Sequence, residues 1–200
     1  MHFDVGRKIS INAMEEAMRS NRFVFLVPQT DATVDNPTRK DLYDVGTIAR
    51  IRQVLKVADD GVRCLVEGVC RAKLINFDTL NETSYATVEP LDEKVSRAKA
   101  TYKEALIRRV HEAFMQFAAY QPKMPKDIKG TVISTNEPSF LGDYIAASIP
   151  IPVDDKQYVL EQLNPVKRLE VVLDIIKREL EICEIDATIS EKTHKNIEES

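Results

Sequence analysis

The sequence predicts an α+β fold, in which a strand-rich first unit is followed by a helical second unit. Between residues 47 and 91, apolar and polar residues alternate with the period of two that β-strands show. Residues 94–120 contain neither glycine nor proline, and their apolar residues recur at the three- and four-residue spacing of an amphipathic helix. The period changes near residue 92, and we therefore expect one unit over residues 1–92 and another over residues 93–200.

The composition is that of a globular protein with enough apolar material for a core. Of the 200 residues, 44% are hydrophobic and 30% are charged, and the formal net charge is −4. Cations are interleaved with acids along most of the chain, which argues against nucleic acid as a partner because phosphate contacts need a basic excess. No apolar run is long enough to span a membrane, and the first residues lack the apolar core of a secretory signal.

The cysteines and histidines predict neither disulfides nor a metal site. Cys64 and Cys70 would point to the same face of one regular strand, about 20 Å apart, which is too far for a disulfide. With Cys183 they are best explained as small hydrophobic residues in a reducing compartment, so we expect a cytoplasmic location. The histidines, which lack the spacing of zinc ligands, are His2, His111 and His194.

Short elements open the first unit. Ser10 is predicted to cap a helix over residues 11–20, whose apolar side carries Ile11, Met14 and Met18. Residues 23–29, FVFLVPQ, form a short continuous apolar run and predict a buried strand. Residues 30–38 are polar and predict a loop.

A long β-hairpin follows. Residues 58–61, ADDG, predict its turn, and residues 62–77 predict its return strand, in which Gly68 indicates a bulge. A further strand is expected over residues 83–91. On the first strand of the hairpin, one predicted face carries Ala49, Ile51, Leu55 and Val57, and the other carries Arg50, Arg52 and Lys56 with Ile48 and Val54 among them.

The second unit reads as helix throughout. The first helix, residues 94–120, would be about 40 Å long, and its apolar stripe comprises Tyr102, Leu106, Val110, Ala113, Phe114 and Phe117. Shorter helices are expected over residues 139–147 and 154–163. Asn164 followed by Pro165 predicts the start of a last helix, whose apolar face carries Leu169, Leu173, Ile176, Leu180 and Cys183.

No catalytic motif is visible in the sequence. The six glycines form neither GxGxxG nor a Walker-type phosphate loop, and GxSxG, HExxH and SxxK are absent. Glu67 is the one acid inside the predicted return strand, and beside Gly68 and Arg71 we expect it to form a structural ion pair. We therefore predict no catalytic, cofactor-binding or metal-binding residues.

Several segments in combination resemble one known family. They are VGRKISINAMEEAM, the PT..DLY.VGT.A.I pattern within residues 37–51, the DG turn, LVEGVCRA, FLGDYIAASIPI and KQYVLEQLNPVKRLEVVLDIIKRELEI. Together they closely resemble the N-terminal domain of Lon, the ATP-dependent AAA+ serine protease. The resemblance implies a PUA-like β-barrel or sheet subdomain, then a helical bundle whose long C-terminal helix leads toward an ATPase module.

The family normally begins with a further strand of the form LPL.PLR...FP, which this chain lacks. Both ends of the chain look cut, because strand-like residues follow Met1 at once and the last helix has no stop signal. We therefore expect an excised piece of a longer protein. The family's Walker motifs and Ser–Lys dyad lie further along, so ATP, magnesium and peptidase activity are expected only of a homohexameric parent serine protease.

The resemblance implies a substrate-recognition and assembly domain that binds unfolded or degron-bearing polypeptide for delivery to an ATPase pore. The alternative is an RNA-binding module, because PUA-like barrels elsewhere bind RNA. No membrane partner is expected. The candidate substrate-binding residues, on a basic turn and an outward strand face, are Arg7, Lys8, Tyr43, Arg50 and Arg52. Arg50 and Arg52 could equally be the solvated face of a strand, and near them we expect Gly46 to permit a tight entry into that strand, with Asp41 and Asp44 satisfying the turn.

Overall fold

A computed structural model describes residues 1–56 and 61–198, with the side chains of residues 1–56, 61–190 and 192. Contacts divide the chain into two compact units, Met1–Asp92 and Glu93–Ser200, next to the boundary expected near residue 92. The first unit holds a sheet and one long helix, and the second holds five helices among its described residues. The predicted α+β class is confirmed.

The first unit is built on a five-stranded antiparallel sheet. Its strands are β1 His2–Val5, β2 Phe23–Leu26, β3 Val45–Lys56, β4 Val62–Leu80 and β5 Thr83–Leu91, in the order β1-β4-β3-β2 with β5 pairing the second half of β4. The predicted hairpin and the strand over residues 83–91 are thus confirmed. Val57 and most of the predicted turn, residues 58–60, lie outside the described residues.

Helix α1, Lys8–Arg19, covers one face of this sheet. The buried residues that it shares with the sheet are Met14, Ala17, Ala49, Ile51, Val62, Cys64 and Val66. The helix begins three residues earlier than predicted, so Ser10 lies inside it, and Arg7 occupies the N-cap position without a side-chain hydrogen bond. The predicted strand over residues 23–29 ends at Leu26 and is half-buried, because Phe23 faces away from α1.

Two register shifts interrupt the pairing of β3 with β4. In the first, Ile48 pairs Cys70 and Ala49 pairs Gly68, which leaves Val69 as the extra residue and confirms the bulge expected at Gly68. In the second, the extra residue is Arg52, which lies between the Ile51 and Gln53 pairings. This second bulge shifts the alternation by one residue.

The consequence of the second bulge is a correction to the predicted face. Val54 packs against the core of the first unit, whereas Leu55 is half-exposed on the other side of the sheet. The prediction had placed Leu55 on the buried face and Val54 among the outward cations. A regular period of two misassigns both residues, because an inserted residue reverses the direction of every side chain that follows it.

Helix α1 also holds the tight turn between β4 and β5. Asn81 and Glu82 adopt φ angles of 50° and 58°, the left-handed conformation that a two-residue hairpin turn requires. The Lys8 ammonium pairs with the Glu82 carboxylate at 2.6 Å, and the Asn12 side-chain amide donates to the Glu82 carbonyl oxygen at 2.8 Å. These contacts offset the cost of left-handed backbone at residues other than glycine.

The second unit comprises five helices among the described residues. They are α2 Ala100–Ala119, α3 Lys126–Ser134, α4 Pro138–Ser148, α5 Val153–Glu161 and α6 Pro165–Glu198. Asn164 caps α6 as predicted, since its side-chain oxygen accepts from the backbone N–H groups of Val166 and Lys167 at 3.0 Å and 3.2 Å. None of the helices in the described part of the chain is both long enough and apolar enough to cross a membrane.

Helix α2 is shorter than the sequence suggested. It begins at Ala100, so it is about 30 Å long. Residues 93–99 are not helical, and the Lys94 N–H instead donates to the Leu163 carbonyl oxygen at 2.9 Å. Tyr102 was expected in the buried stripe, but it is exposed and its hydroxyl donates to Glu170 at 2.7 Å. The rest of the stripe, from Leu106 to Phe117, is buried as predicted.

Candidate functional site

The sheet face opposite α1 exposes several large apolar side chains. We call it the outer sheet face and define it by Phe23, Arg50, Arg52, Leu55, Leu65 and Glu67, with the flanking pair Asp4 and Arg63. The side chains of β4 fix this assignment, because Val62, Cys64 and Val66 are buried against α1 while the residues between and after them point the other way. Phe23 on β2, Arg50 on β3 and Glu67 on β4 occupy one row across three strands.

Three large apolar side chains stand open on this face. Phe23 is 42% exposed, Leu55 is 50% exposed and Leu65 is 41% exposed. Leu65 lies opposite Gln53 in the ladder, and Leu55 lies opposite Arg63, so both leucines project from adjacent strands. Apolar side chains gathered on a rigid sheet form a surface that gains free energy when another apolar group covers it.

The rim of the face is shaped by Gly46, the second residue of β3. A Cβ atom at this position would lie 2.6 Å from a ring carbon of Phe25 and closer still to the Leu26 carbonyl oxygen. Gly46 therefore serves the close approach of β2 to β3, whereas the sequence had suggested a tight entry before the strand. Phe25 lies opposite Ile48, and both residues are half-buried.

Ion pairs neutralise two of the three arginines on the face. Arg52 binds Glu67, with its Nε atom 2.6 Å from the carboxylate, and Arg63 binds Asp4 through two bonds of 2.7 Å and 2.9 Å. The hydrogen bond from Arg63 holds the pKa of the Asp4 carboxyl below its ordinary 3.8. Glu67 does form a structural ion pair, but its partner across the ladder is Arg52 rather than the expected Arg71.

Arg50 differs from these two arginines. Its guanidinium carbon lies 5.9 Å from the centre of the Phe23 ring, which is cation–π geometry. In the part of the chain that the structure describes, no carboxylate pairs with it, and the side chain is exposed. The face therefore combines exposed apolar groups with one cation that pairs with no carboxylate among the described residues.

The other candidate residues lie elsewhere in the first unit. Arg7 binds the side chain of Gln29 and donates to the Ala32 carbonyl oxygen at 3.3 Å, and Lys8 is held by Glu82. Both line a shallow cavity of about 470 Å³, whose other lining residues are Ile9, Asp35, Asn36, Thr79 and Glu82. The structure thus brings Arg50 and Arg52 together on one face and keeps Arg7 and Lys8 in a separate, charge-balanced cavity.

The turn before β3 is held by its own side chains. Asp41 accepts from the Thr38 hydroxyl at 2.6 Å and from the Thr38 N–H at 2.7 Å, and these bonds lower the pKa of Asp41. Asp44 pairs with Arg39. Tyr43 is half-buried, and its N–H donates to the Pro28 carbonyl oxygen at 3.2 Å. The predicted role of the two aspartates in this turn is confirmed, and substrate contact by Tyr43 stays a prediction.

Sequence reasoning missed a buried cation in the second unit. The side chain of Arg168 on α6 is 0% exposed, and it donates to Glu93 at 2.9 Å, to the Ser139 hydroxyl at 3.0 Å and to the Gln162 carbonyl oxygen at 2.9 Å. Its stem passes 3.4 Å from where a Cβ of Gly142 would lie. The sequence signal for this close packing was Gly142, a glycine inside an otherwise apolar helix, but a glycine alone does not identify the side chain that packs against it. These bonds anchor residue 93 to the bundle and are structural.

The thiols are free, and the carboxylates of the described residues offer no metal site. Cys64, Cys70 and Cys183 are free, and burial raises the pKa of the Cys64 thiol. Among the described residues, no group of three or more histidine, cysteine, aspartate or glutamate side chains could hold a metal ion. What the geometry offers is an open surface for contact.

A sheet with an open apolar and cationic face, followed in the chain by a helical bundle, defines a two-unit binding module. Over residues 1–178 the chain matches the family described as the ATP-dependent protease La (LON) substrate-binding domain, and it belongs to that family. The match confirms the resemblance inferred from the sequence segments.

Curated relatives agree with this assignment. The chain is 36% identical over 200 residues to the Lon protease of Desulforamulus reducens, and that alignment covers 100% of this chain and 24% of the relative. It is 32% identical to Lon protease 1 of Bacillus subtilis, with 99% of this chain and 25% of the relative covered. The chain therefore spans about a quarter of the length of these relatives.

Solved structures show the same fold. The N-terminal domain of the Mycobacterium avium complex Lon protease superposes with a TM-score of 0.67 at 20% identity, covering 88% of this chain and 90% of that one. The Lon N-terminal domain protein from Xanthomonas campestris superposes with a TM-score of 0.54 at 13% identity, covering 87% and 88%.

Proposed function

We propose that this chain binds unfolded or degron-bearing polypeptide on its outer sheet face and delivers it to the ATPase pore of a cytoplasmic Lon-type protease. The observation that carries the proposal is the group of Phe23, Leu55 and Leu65, exposed together on a sheet of a substrate-binding domain family. Folded proteins keep most large apolar side chains inside, whereas unfolded chains present them. A surface of this chemistry therefore favours unfolded polypeptide.

Binding to one copy of the face is expected to be weak. Three half-exposed side chains offer limited apolar area, and an unfolded segment loses conformational freedom when it is held. We expect a Kd of about 1 μM or above. Several copies in a homo-oligomer of the parent protein would raise the apparent affinity, because each binding event after the first is intramolecular.

The chain itself is proposed to bind rather than to catalyse, with no cofactor of its own. The Cys64 thiol is buried and has a raised pKa, which disfavours the reactive thiolate. The His111 ring nitrogen lies 3.0 Å from the Thr135 carbonyl oxygen, where it joins two parts of the helical unit. ATP, magnesium and peptide cleavage are assigned in this proposal to the parts of the parent protein outside this chain.

The test compares one protein in two states. A labelled protein is offered to this chain in its native form and after irreversible unfolding, and binding is followed by fluorescence anisotropy over a salt series. We expect the unfolded form to bind and the native form to bind at least about tenfold more weakly, with a shallow dependence on salt because apolar contacts release few counterions. Equal binding of both forms would contradict the proposal, as would steeply salt-dependent RNA binding without affinity for unfolded protein.

A further inference from the structure

We propose that the outer sheet face selects polypeptide segments in which a carboxylate side chain lies next to aromatic or aliphatic ones. This inference rests on the proposed function and adds the chemistry of the bound segment. Its basis is Arg50, the one arginine of the face whose charge is not balanced by a carboxylate among the described residues.

The charges of the face determine the sign of the preference. Three arginines, Arg50, Arg52 and Arg63, stand against two carboxylates, those of Asp4 and Glu67. Two of the arginines are held in ion pairs of 2.6 Å to 2.9 Å, so the excess positive charge is located at Arg50. A bound segment gains most if it brings a single negative charge to that position.

The position of Arg50 also sets what must lie beside that negative charge. The Arg50 guanidinium lies over the Phe23 ring, and a guanidinium in this position still presents N–H donors along its edge. A carboxylate bound at those donors therefore sits next to the exposed ring of Phe23, with Leu65 on the neighbouring strand β4 and Leu55 further along β3 itself. The side chains adjacent to the acid in the bound segment meet an apolar surface.

An acidic polypeptide fits this arrangement better than a nucleic acid does. Nucleic-acid affinity comes from many phosphate contacts, each with its own cation. Here the face offers one arginine that no described carboxylate balances, and the whole chain carries a formal net charge of −4. One carboxylate flanked by apolar groups would balance the charge of this arginine and cover the apolar side chains beside it.

The experiment uses three short synthetic peptides that share one unstructured sequence with two phenylalanines around a central Asp, Asn or Lys. Binding to the full chain is measured by fluorescence anisotropy. We expect the Asp peptide to bind about two- to fivefold more tightly than the Asn peptide at low salt, the range of an exposed charge pair. This difference in affinity should disappear at roughly 0.5 M salt, because salt screens exposed charges. The Lys peptide should bind most weakly of the three.

Four variants locate the effect. Arg50→Gln should remove the preference for Asp over Asn, and Arg50→Lys should retain part of it. Glu67→Gln should increase the preference, because it removes the charge that now neutralises Arg52. The matched control is Arg108→Gln, which removes an exposed arginine from α2 in the other unit and should leave the preference unchanged. Thermal midpoints confirm that each variant is folded. The preference for Asp over Asn should fall in Arg50→Gln and rise in Glu67→Gln, and partial unfolding cannot produce changes in opposite directions.

The outcomes separate the inference from the proposed function. Equal affinity for the Asp and Asn peptides, together with binding of unfolded protein, would overturn the acidic preference and leave the proposed function in place. Absence of binding to every peptide and to unfolded protein would overturn both. Displacement of the Asp peptide by an RNA oligonucleotide at stoichiometric concentration would overturn the assignment to polypeptide.

Discussion

At the scale of single residues, Gly46 shows how one missing side chain lets a surface form. Phe25 and the backbone of Leu26 occupy the space that a Cβ at Gly46 would need. The strand β2 can therefore lie close against β3, and Phe23, two residues before Phe25, is held beside Arg50. The apolar part of the outer sheet face thus depends on a residue that contributes no side chain to it.

Replacing Gly46 by alanine is expected to destabilise the protein. The new methyl group meets the Phe25 ring and a backbone carbonyl, and the backbone cannot swing away as a flexible side chain can, so the cost should be about 1–3 kcal/mol of unfolding free energy. Urea denaturation measures it. The matched control is Gly130→Ala on α3, where nothing lies within 4 Å and helix propensity favours alanine by up to about 1 kcal/mol. Equal effects at the two positions would contradict the close approach.

The Asp4–Arg63 pair gives a prediction in pH. The pKa of Asp4 is lowered because Arg63 binds its ionised form, so the pair's contribution to stability is present above the unfolded-state pKa of about 3.8 and is lost as the pH falls through the folded-state value. An NMR titration of the Asp4 carboxyl should show a midpoint below 3.8 that returns toward it in Arg63→Gln. Asp31 is the internal control, because Thr33 lowers its pKa and the Arg63→Gln substitution should leave that pKa unchanged.

At the scale of elements, the parts fixed by local chemistry were predictable. The span of β5, the Asn164 cap of α6 and the bulge beside Gly68 all follow from residues that lie next to one another in the chain. Features fixed by distant residues were not. The bulge at Arg52 depends on the register of β4, and the segment before α2 bonds to a distant residue, since the Lys94 N–H donates to Leu163. Periodicity within one segment carries no information about the distant residues that pair with that segment.

Helix α2 provides the prediction at this scale. Phe114 is 0% exposed at the centre of the helical core, so Phe114→Ala should lower the free energy of unfolding by about 3–5 kcal/mol. The next residue, Met115, is 43% exposed and supplies the control, since Met115→Ala removes less buried surface than Phe114→Ala and should cost clearly less. Chemical denaturation of both variants tests the orientation of the helix. An unchanged midpoint for Phe114→Ala would show that the stripe is misassigned.

At the scale of the whole molecule, the candidate binding surface is one exposed face of the sheet in the first unit. The family and the α+β class could be predicted because several local motifs occur in one order along the chain. The candidate site could be predicted only in part. Arg50 and Arg52 were named from the alternation of one strand, but Phe23, Leu55 and Leu65 come together only through pairing across three strands, and a single bulge decides that Leu55 belongs to the face.

The most direct test of the central claim is the affinity for one irreversibly unfolded protein, compared between the natural chain and the double variant Leu55→Ser with Leu65→Ser. Both leucines are exposed, so the thermal midpoint should stay within a few degrees while the Kd rises at least about tenfold, because the bound segment loses its apolar contacts. The control is Ile133→Ser with Val153→Ser, two similarly exposed apolar residues of the helical unit, which should leave the Kd unchanged. An unchanged Kd in the Leu55 and Leu65 variant, or an equal rise in the control, would contradict binding at the outer sheet face.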